Sequence, residues 1–186
     1  MRTVVFLLVP GLHLLDLAGP AQVFSTAADI GLEYRLHYFA ERANVPTAQG
    51  LPLTASTPGW RAGPAAGSLS PQSKARLAAH HANGGVVASV CAGAEALGQA
   101  GLLDNRRCTT HHDLQEDLAA RYPKATVVRD VLFVIDDRVV TSAGIASGID
   151  LALHLIAVRH GPGPAARIAR EMVVYARRNG RLRARS

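Results

Sequence analysis

A cysteine stands where an apolar run meets a small-residue stretch, and this junction has the residue types of a nucleophilic site. Residues 86–90 predict a short buried strand, and residues 92–94 predict a turn into a helix. Such a turn holds its side chain at the top of a sheet, beside unpaired backbone N–H groups. Because those groups and the helix dipole favour negative charge, we expect the Cys91 thiol to ionise readily. The alternative is a small apolar core residue, since free cysteine is often buried.

Other reactive groups follow the predicted strands in the same way. Asp16 is set among leucines, and His111 follows a short predicted strand. In an α/β fold, groups at the carboxyl ends of the strands lie together. A thiol, a carboxyl group, an imidazole and turns rich in N–H groups are what nucleophilic catalysis needs. Two alternatives stay open: Asp16 could cap a helix that begins near Gly19, and His111 could be structural.

Strands and helices alternate along the chain, which predicts a doubly wound α/β sandwich. The predicted strands lie at 3–9, 34–39, 86–90, 106–110, 127–128, 131–135 and 139–141, with a short hairpin or an irregular excursion within 44–54. The predicted helices lie at 19–31, 74–83, 94–100, 113–122, 148–160 and 165–178. Asp113 is the predicted cap of the fourth helix. Residues 57–71 lack a run of β-branched residues, so they predict an exposed loop and no strand.

Length and composition limit the class of protein. The chain has 186 residues, of which 48% are hydrophobic, and a formal charge of +6. We expect one domain over 1–178 and a basic tail over 179–186, where arginines cluster. A charge confined to a tail does not favour nucleic acid as a partner. No apolar run is long enough for a signal peptide or a membrane span, so we expect a cytoplasmic protein.

The cysteines and the other histidines predict no further chemistry. Two cysteines are too few for a disulfide framework and lack a metal-type spacing, so no cofactor and no metal are expected. Cys108 lies within a predicted strand and is expected in the core. His80 and His81 lie at a helix end and are expected to be solvated rather than metal ligands.

Several motifs in order resemble the ThiJ/PfpI family of the class I glutamine amidotransferase-like superfamily. They lie at 14–20, 89–93, 100–104, 109–112 and 141–150. The resemblance implies a flavodoxin-like three-layer sandwich with a mostly parallel central sheet, usually a homodimer, and a reactive cysteine at position 91. It implies that Asp16 lies beside Cys91 and hydrogen-bonds to it, and that His111 lies near the thiol. The predicted oxyanion region is Ala92, Gly93, Ser142, Ala143 and Gly144.

Within the family, the chain resembles isonitrile hydratases and the ligand-binding halves of AraC-type regulators. Both imply a small-molecule substrate or ligand. Isonitrile hydratases generally have threonine after the cysteine, where this chain has Ala92. The family also has a strand and a glycine-rich turn that residues 55–73 do not reproduce, so one strand is expected to be missing. A hydratase or lyase acting on a small electrophile and a non-catalytic ligand or redox sensor are the two functions left open.

Overall fold

The computed structural model describes residues 1–57 and 68–174. The strands are β1 (Arg2–Leu8), β2 (Tyr34–Ala40), β3 (Asn44–Val45), β4 (Leu53–Thr54), β5 (Val87–Val90), β6 (Arg107–Cys108), β7 (Thr126–Val127), β8 (Phe133–Asp136) and β9 (Val139–Ser142). The helices are α1 (Leu14–Asp29), α2 (Pro71–Ala82), α3 (Ala94–Gln99), α4 (Gln115–Arg121), α5 (Ser147–His160) and α6 (Pro162–Glu171). The order confirms the predicted alternation.

The chain begins with two parallel strands joined by a helix. β1 pairs in parallel with β2, with Val4 opposite Leu36. α1 begins at Leu14, not near Gly19 as predicted, so Pro20 lies inside the helix. The earlier start is favoured because Leu17 packs in the cluster beneath β1. It also places Asp16 in the first turn, where the helix dipole favours a carboxylate.

β5, the strand that ends directly before Cys91, belongs to a second sheet, with the order β5-β9-β8. β5 runs parallel to β9, and Val90 lies opposite Ser142. β8 and β9 form an antiparallel pair, joined by a turn in which Asp137 has a positive φ of 53°. Since β5 and β9 end side by side, the two small-residue turns that follow them emerge at the same edge of the sheet.

Two apolar clusters hold helices against these strands. The first joins α1, α5 and α6 to β1 and β2, and includes Val23, Leu153 and Ile168. The second joins β5, α3, β6 and α4, and includes Leu97 and Cys108. The fold is a flavodoxin-like α/β fold. No described helix is long and apolar enough to cross a membrane.

The stretch expected to lack a strand has little sheet structure where it is described. Ser56 makes a single bridge to Phe39, and α2 begins at Pro71. Among the described residues, β1 pairs with β2 alone and β5 with β9 alone, so the two sheets are separate. Residues 58–67, which make up most of the loop predicted at 57–71, lie outside the described residues. The hairpin prediction over 44–54 is confirmed by β3 and β4.

Both predicted ends of the last helix are corrected. α6 begins at Pro162, where proline suits the first helical position, and not at residue 165. It ends at Glu171 rather than at 178, because Val173 takes a positive φ of 55°. Residues 175–178 and the predicted tail at 179–186 lie outside the described residues.

Candidate functional site

The cysteine at the end of β5 has an unusual backbone. Cys91 takes a positive φ of 54° and starts a 3-10 turn, Cys91–Gly93, which leads directly into α3. A positive φ is uncommon for a residue with a side chain, and such strain is found at functional sites. The residue is 5% exposed. The turn therefore holds the thiol at the edge where β5 and β9 end, covered from most of the solvent.

The electrostatic surroundings do not favour the thiolate, contrary to the expectation from sequence. Burial above all, and then the charge and hydrogen bond of Asp16, raise the pKa of Cys91 to about 11. The Ala92 backbone N–H lowers the pKa, but not enough to offset the other two causes. The expectation of a readily ionised thiol is wrong, because a buried site with a neighbouring carboxylate disfavours a second negative charge. At neutral pH, Cys91 is a protonated thiol with a proton acceptor beside it.

Asp16 connects the thiol to the turn that follows β9. Its Oδ1 accepts a hydrogen bond from the Ile145 backbone N–H at 2.8 Å. It does not cap a helix beginning near Gly19, because α1 already begins at Leu14 with His13 as the N-cap. The carboxyl group therefore bridges α1, Cys91 and the Ser142–Gly144 region.

Gly144 packs against the cysteine more closely than any side chain would permit. A Cβ on Gly144 would lie 2.6 Å from the Cβ and 2.8 Å from the Sγ of Cys91. The residue also has a positive φ of 104°. The Ser147 Oγ accepts a hydrogen bond from the Gly144 N–H at 2.8 Å, which fixes the turn. Gly144 thus forms one wall of the thiol site.

The predicted oxyanion residues differ in what their polar groups can do. The Ala143 N–H donates to the Leu132 carbonyl at 2.8 Å, and the Gly144 N–H is bound by Ser147. The Ser142 hydroxyl is buried and donates to the Ser89 carbonyl at 3.3 Å. These groups stabilise the turn, and their hydrogen bonds are already made. The Ala92 N–H acts on the thiol, and the role of Ala92 and Gly93 as donors for developing charge stays a prediction.

His111 lies next to the site but faces another way. The preceding residue, Thr110, donates its Oγ1 to the Cys91 carbonyl at 2.8 Å. The His111 ring instead caps the following 3-10 turn, and its Nδ1 accepts the Asp113 N–H at 3.4 Å. The predicted capping role of Asp113 is therefore wrong. The contacts of His111 are those of the structural alternative, and no contact with the thiol is among them in the described chain.

Three residues that hold the site together were not assigned from sequence. Thr110 supports the Cys91 carbonyl, Ile145 binds Asp16 through its amide, and Ser147 fixes Gly144. The motifs around them were visible, but which atoms would pair was not. The Ser89 hydroxyl is buried two residues before Cys91 and has no hydrogen-bond partner in the described part of the chain.

The described chain contains one group of side chains with the spacing of metal ligands. It consists of His111, His112 and Asp113, whose ligand atoms all lie within 4.8 Å of one another. The thiols of Cys91 and Cys108 are both free and buried. They do not belong to that group.

Comparison with known proteins places the chain in a family. The profile of the DJ-1/PfpI family matches residues 54–158. The isonitrile hydratase of Pseudomonas putida is 34% identical over 168 residues, which is 81% of this chain and 68% of that protein. The HTH-type transcriptional regulator CdhR of Pseudomonas aeruginosa is 39% identical over 103 residues, 55% of this chain and 29% of the regulator.

The fold comparison agrees. A crystal structure of an AraC family transcriptional regulator from Pseudomonas putida superposes with a TM-score of 0.81. It is 21% identical, and the match covers 92% of this chain and 100% of that one. The chain therefore belongs to the DJ-1/PfpI family.

Proposed function

We propose that the protein is a cysteine-dependent hydratase or lyase in which Cys91 adds to a small electrophile such as an isonitrile. One observation carries the proposal: the Asp16 carboxylate hydrogen-bonds to the Cys91 thiol. A neutral thiol is a weak nucleophile until a base removes its proton as it attacks. A carboxylate within hydrogen-bonding distance is such a base. The similarity to isonitrile hydratase over 168 residues supports the substrate class.

The reaction balances with the groups present and one water molecule. The Sγ proton passes to Asp16 while the sulfur bonds to the terminal carbon of R–NC. Asp16 returns the proton to that carbon, which gives a thioimidate. Water then adds to the same carbon, and the C–S bond breaks. The products are the N-substituted formamide and the regenerated thiol.

The backbone supports the charge that develops in these steps. The Ala92 N–H acts on the sulfur, where it stabilises negative charge. The Gly144 wall and the low exposure of Cys91 shield the thiol from bulk water. His111 lies at the rim and takes no part in this proton transfer.

We propose a cytoplasmic homodimer as the working form, with a single domain over 1–178 and a small-molecule substrate as its partner.

Turnover of an alkyl isonitrile tests the proposal. Purified protein is expected to convert the isonitrile to the corresponding formamide, followed by NMR of the formyl proton, and Cys91→Ser is expected to abolish it. Cys108→Ser serves as the matched control and should retain activity. Absence of formamide with the unmodified protein, or equal rates with Cys91→Ser, would contradict the hydratase assignment.

A sensing role is the second candidate, and position 92 favours it. Ala92 provides no hydroxyl where isonitrile hydratases generally carry threonine, and CdhR is a regulator. In that case the site would bind a small ligand beside the neutral thiol without consuming it. Saturable binding of the isonitrile, measured by calorimetry, without formation of formamide would support the sensor over the enzyme.

A further inference from the structure

We propose that His111, His112 and Asp113 form a binding site for one divalent transition-metal cation of the Zn²⁺ class. The site lies at the rim of the Cys91–Gly93 turn and does not depend on the proposed reaction of Cys91. Imidazole nitrogens and a carboxylate oxygen are the ligands that Zn²⁺ and the neighbouring first-row metals prefer. The three residues are consecutive, so a 3-10 turn alone brings their ligand atoms together.

The ligand atoms converge from both sides on one carboxylate. His112 Nε2 lies 3.2 Å from Asp113 Oδ1, and His111 Nδ1 lies 3.5 Å from Asp113 Oδ2. The two imidazole rings are 4.2 Å apart between centroids. Ligands bound at about 2.0–2.2 Å to a tetrahedral zinc ion lie at separations of this order. Small side-chain rotations would therefore place all three on a single ion.

One hydrogen bond of His111 is weak enough for a metal ion to replace. Its Nδ1 accepts the Asp113 N–H at 3.4 Å and lies 3.5 Å from the carboxylate Oδ2. The hydrogen bond is longer than usual, so little is lost when a metal ion takes the Nδ1 lone pair.

The charge and exposure of the group suit a small hydrated cation. In the described chain, the ion pairs of Asp113 are with these two imidazoles, and no arginine or lysine neutralises it there. His111 is partly buried, which fixes one ligand, whereas the other two are exposed. The open side leaves room for water to complete the coordination shell, as in zinc sites with three protein ligands.

Titration of the full-length protein with Zn²⁺ by calorimetry tests the site. We expect saturable binding of one ion per chain, weakened by at least about tenfold in His112→Ala and in Asp113→Asn. Asp113→Asn preserves the shape of the side chain, so its loss of affinity reports the charge and not a change in folding. Mg²⁺, which prefers oxygen ligands, should not compete.

Two matched variants exclude other zinc ligands. His80→Ala removes an exposed histidine elsewhere, and Cys91→Ser removes the thiol; both should bind Zn²⁺ as the unmodified protein does. The proposal is overturned by the absence of saturable binding. It is also overturned if His112→Ala and Asp113→Asn bind normally, or if Cys91→Ser or His80→Ala abolishes binding.

Discussion

The two cysteines of this protein have nearly the same thiol electrostatics and very different surroundings. Burial, as the larger cause, and the charge of a carboxylate, Asp16 or Asp136, together raise the pKa of each to about 11. Cys91 is 5% exposed and Cys108 is 0% exposed. Neither burial nor pKa therefore distinguishes a reactive cysteine from a core cysteine in this fold.

Cys91 and Cys108 differ in their backbone conformation and in the proton acceptor beside the thiol. Cys108 ends a regular strand and packs in an apolar cluster. Cys91 has a positive φ, an N–H group acting on its sulfur and a carboxylate that hydrogen-bonds to it. At Cys108, Asp136 contributes charge alone, because its oxygens bind the Arg106 side chain and the Arg107 N–H. A high thiol pKa is compatible with catalysis only where a base can take the proton during attack.

The largest effect is expected from filling the wall beside Cys91. Gly144→Ala would place a methyl group 2.6 Å from the Cys91 Cβ at a positive φ. We expect a loss of about 3 kcal/mol in the free energy of unfolding, from overpacking and backbone strain together. Urea denaturation measures this loss. The rate at which iodoacetamide labels Cys91 should change, while the rate at Cys108 should not.

Gly163→Ala is the matched control for that substitution. Gly163 lies in the first turn of α6, and nothing lies within 4 Å of a Cβ there. Alanine should be neutral or stabilising by less than about 1 kcal/mol, because it is the better helix former. Equal destabilisation by the two substitutions would contradict the close approach of Gly144 to the thiol.

The second effect separates thiolate formation from catalysis. In Asp16→Asn, the Oδ1 can still accept the Ile145 N–H, but the side chain can no longer take a proton. We expect turnover of the isonitrile to fall by about 100-fold, which is a usual contribution of a general base. The pKa of Cys91 should fall at the same time, because a negative charge that raises it is gone.

Asp16→Asn is informative because it is expected to speed the labelling of Cys91 and to slow turnover. A merely structural Asp16 would lower both labelling and turnover. Faster labelling of Cys91 near neutral pH combined with slower turnover is expected only if the carboxylate acts as the base. Labelling of Cys108 in the same sample is the internal control.

The smallest effect is expected from two adjacent threonines, of which only Thr110 binds Cys91. Thr110 Oγ1 donates to the Cys91 carbonyl at 2.8 Å, and Thr109 Oγ1 donates to the Val128 carbonyl at 2.9 Å. Valine at either position should cost about 1 kcal/mol, the value of one buried hydrogen bond. Thermal unfolding measures this cost. Only Thr110→Val is expected to alter the labelling rate of Cys91; an equal change in both variants would indicate a general loosening of the fold.

Local patterns predicted most elements of this molecule. The apolar run before Pro10 and the aromatic-rich run at 34–39 became the paired strands β1 and β2. The small residues after Val90 became a 3-10 turn that leads into a helix. These features depend on neighbouring residues, so the sequence carries their signal directly.

Features that depend on distant pairs could not be predicted in the same way. The helix after β1 begins earlier than Pro20 suggests, because packing of Leu17 favours an additional helical stretch. The Ala143 N–H cannot bind a developing charge while it donates to the Leu132 carbonyl. The β8–β9 pair brings that carbonyl to it. The helix dipole predicts a readily ionised Cys91 thiol, but burial and the charge of Asp16, which is distant in sequence, outweigh one turn of N–H groups.

The pH dependence of alkylation at the two cysteines tests the central claim most directly. Iodoacetamide labelling is followed by mass spectrometry from about pH 7 to about pH 11, in the unmodified protein and in Asp16→Asn. The rate at Cys91 should rise with pH towards a midpoint of about 11, exceed that at Cys108, and shift to lower pH in Asp16→Asn. Cys108 should be unaffected by the substitution. Equal slow labelling of both cysteines, or a Cys91 profile that does not move in Asp16→Asn, would contradict the account.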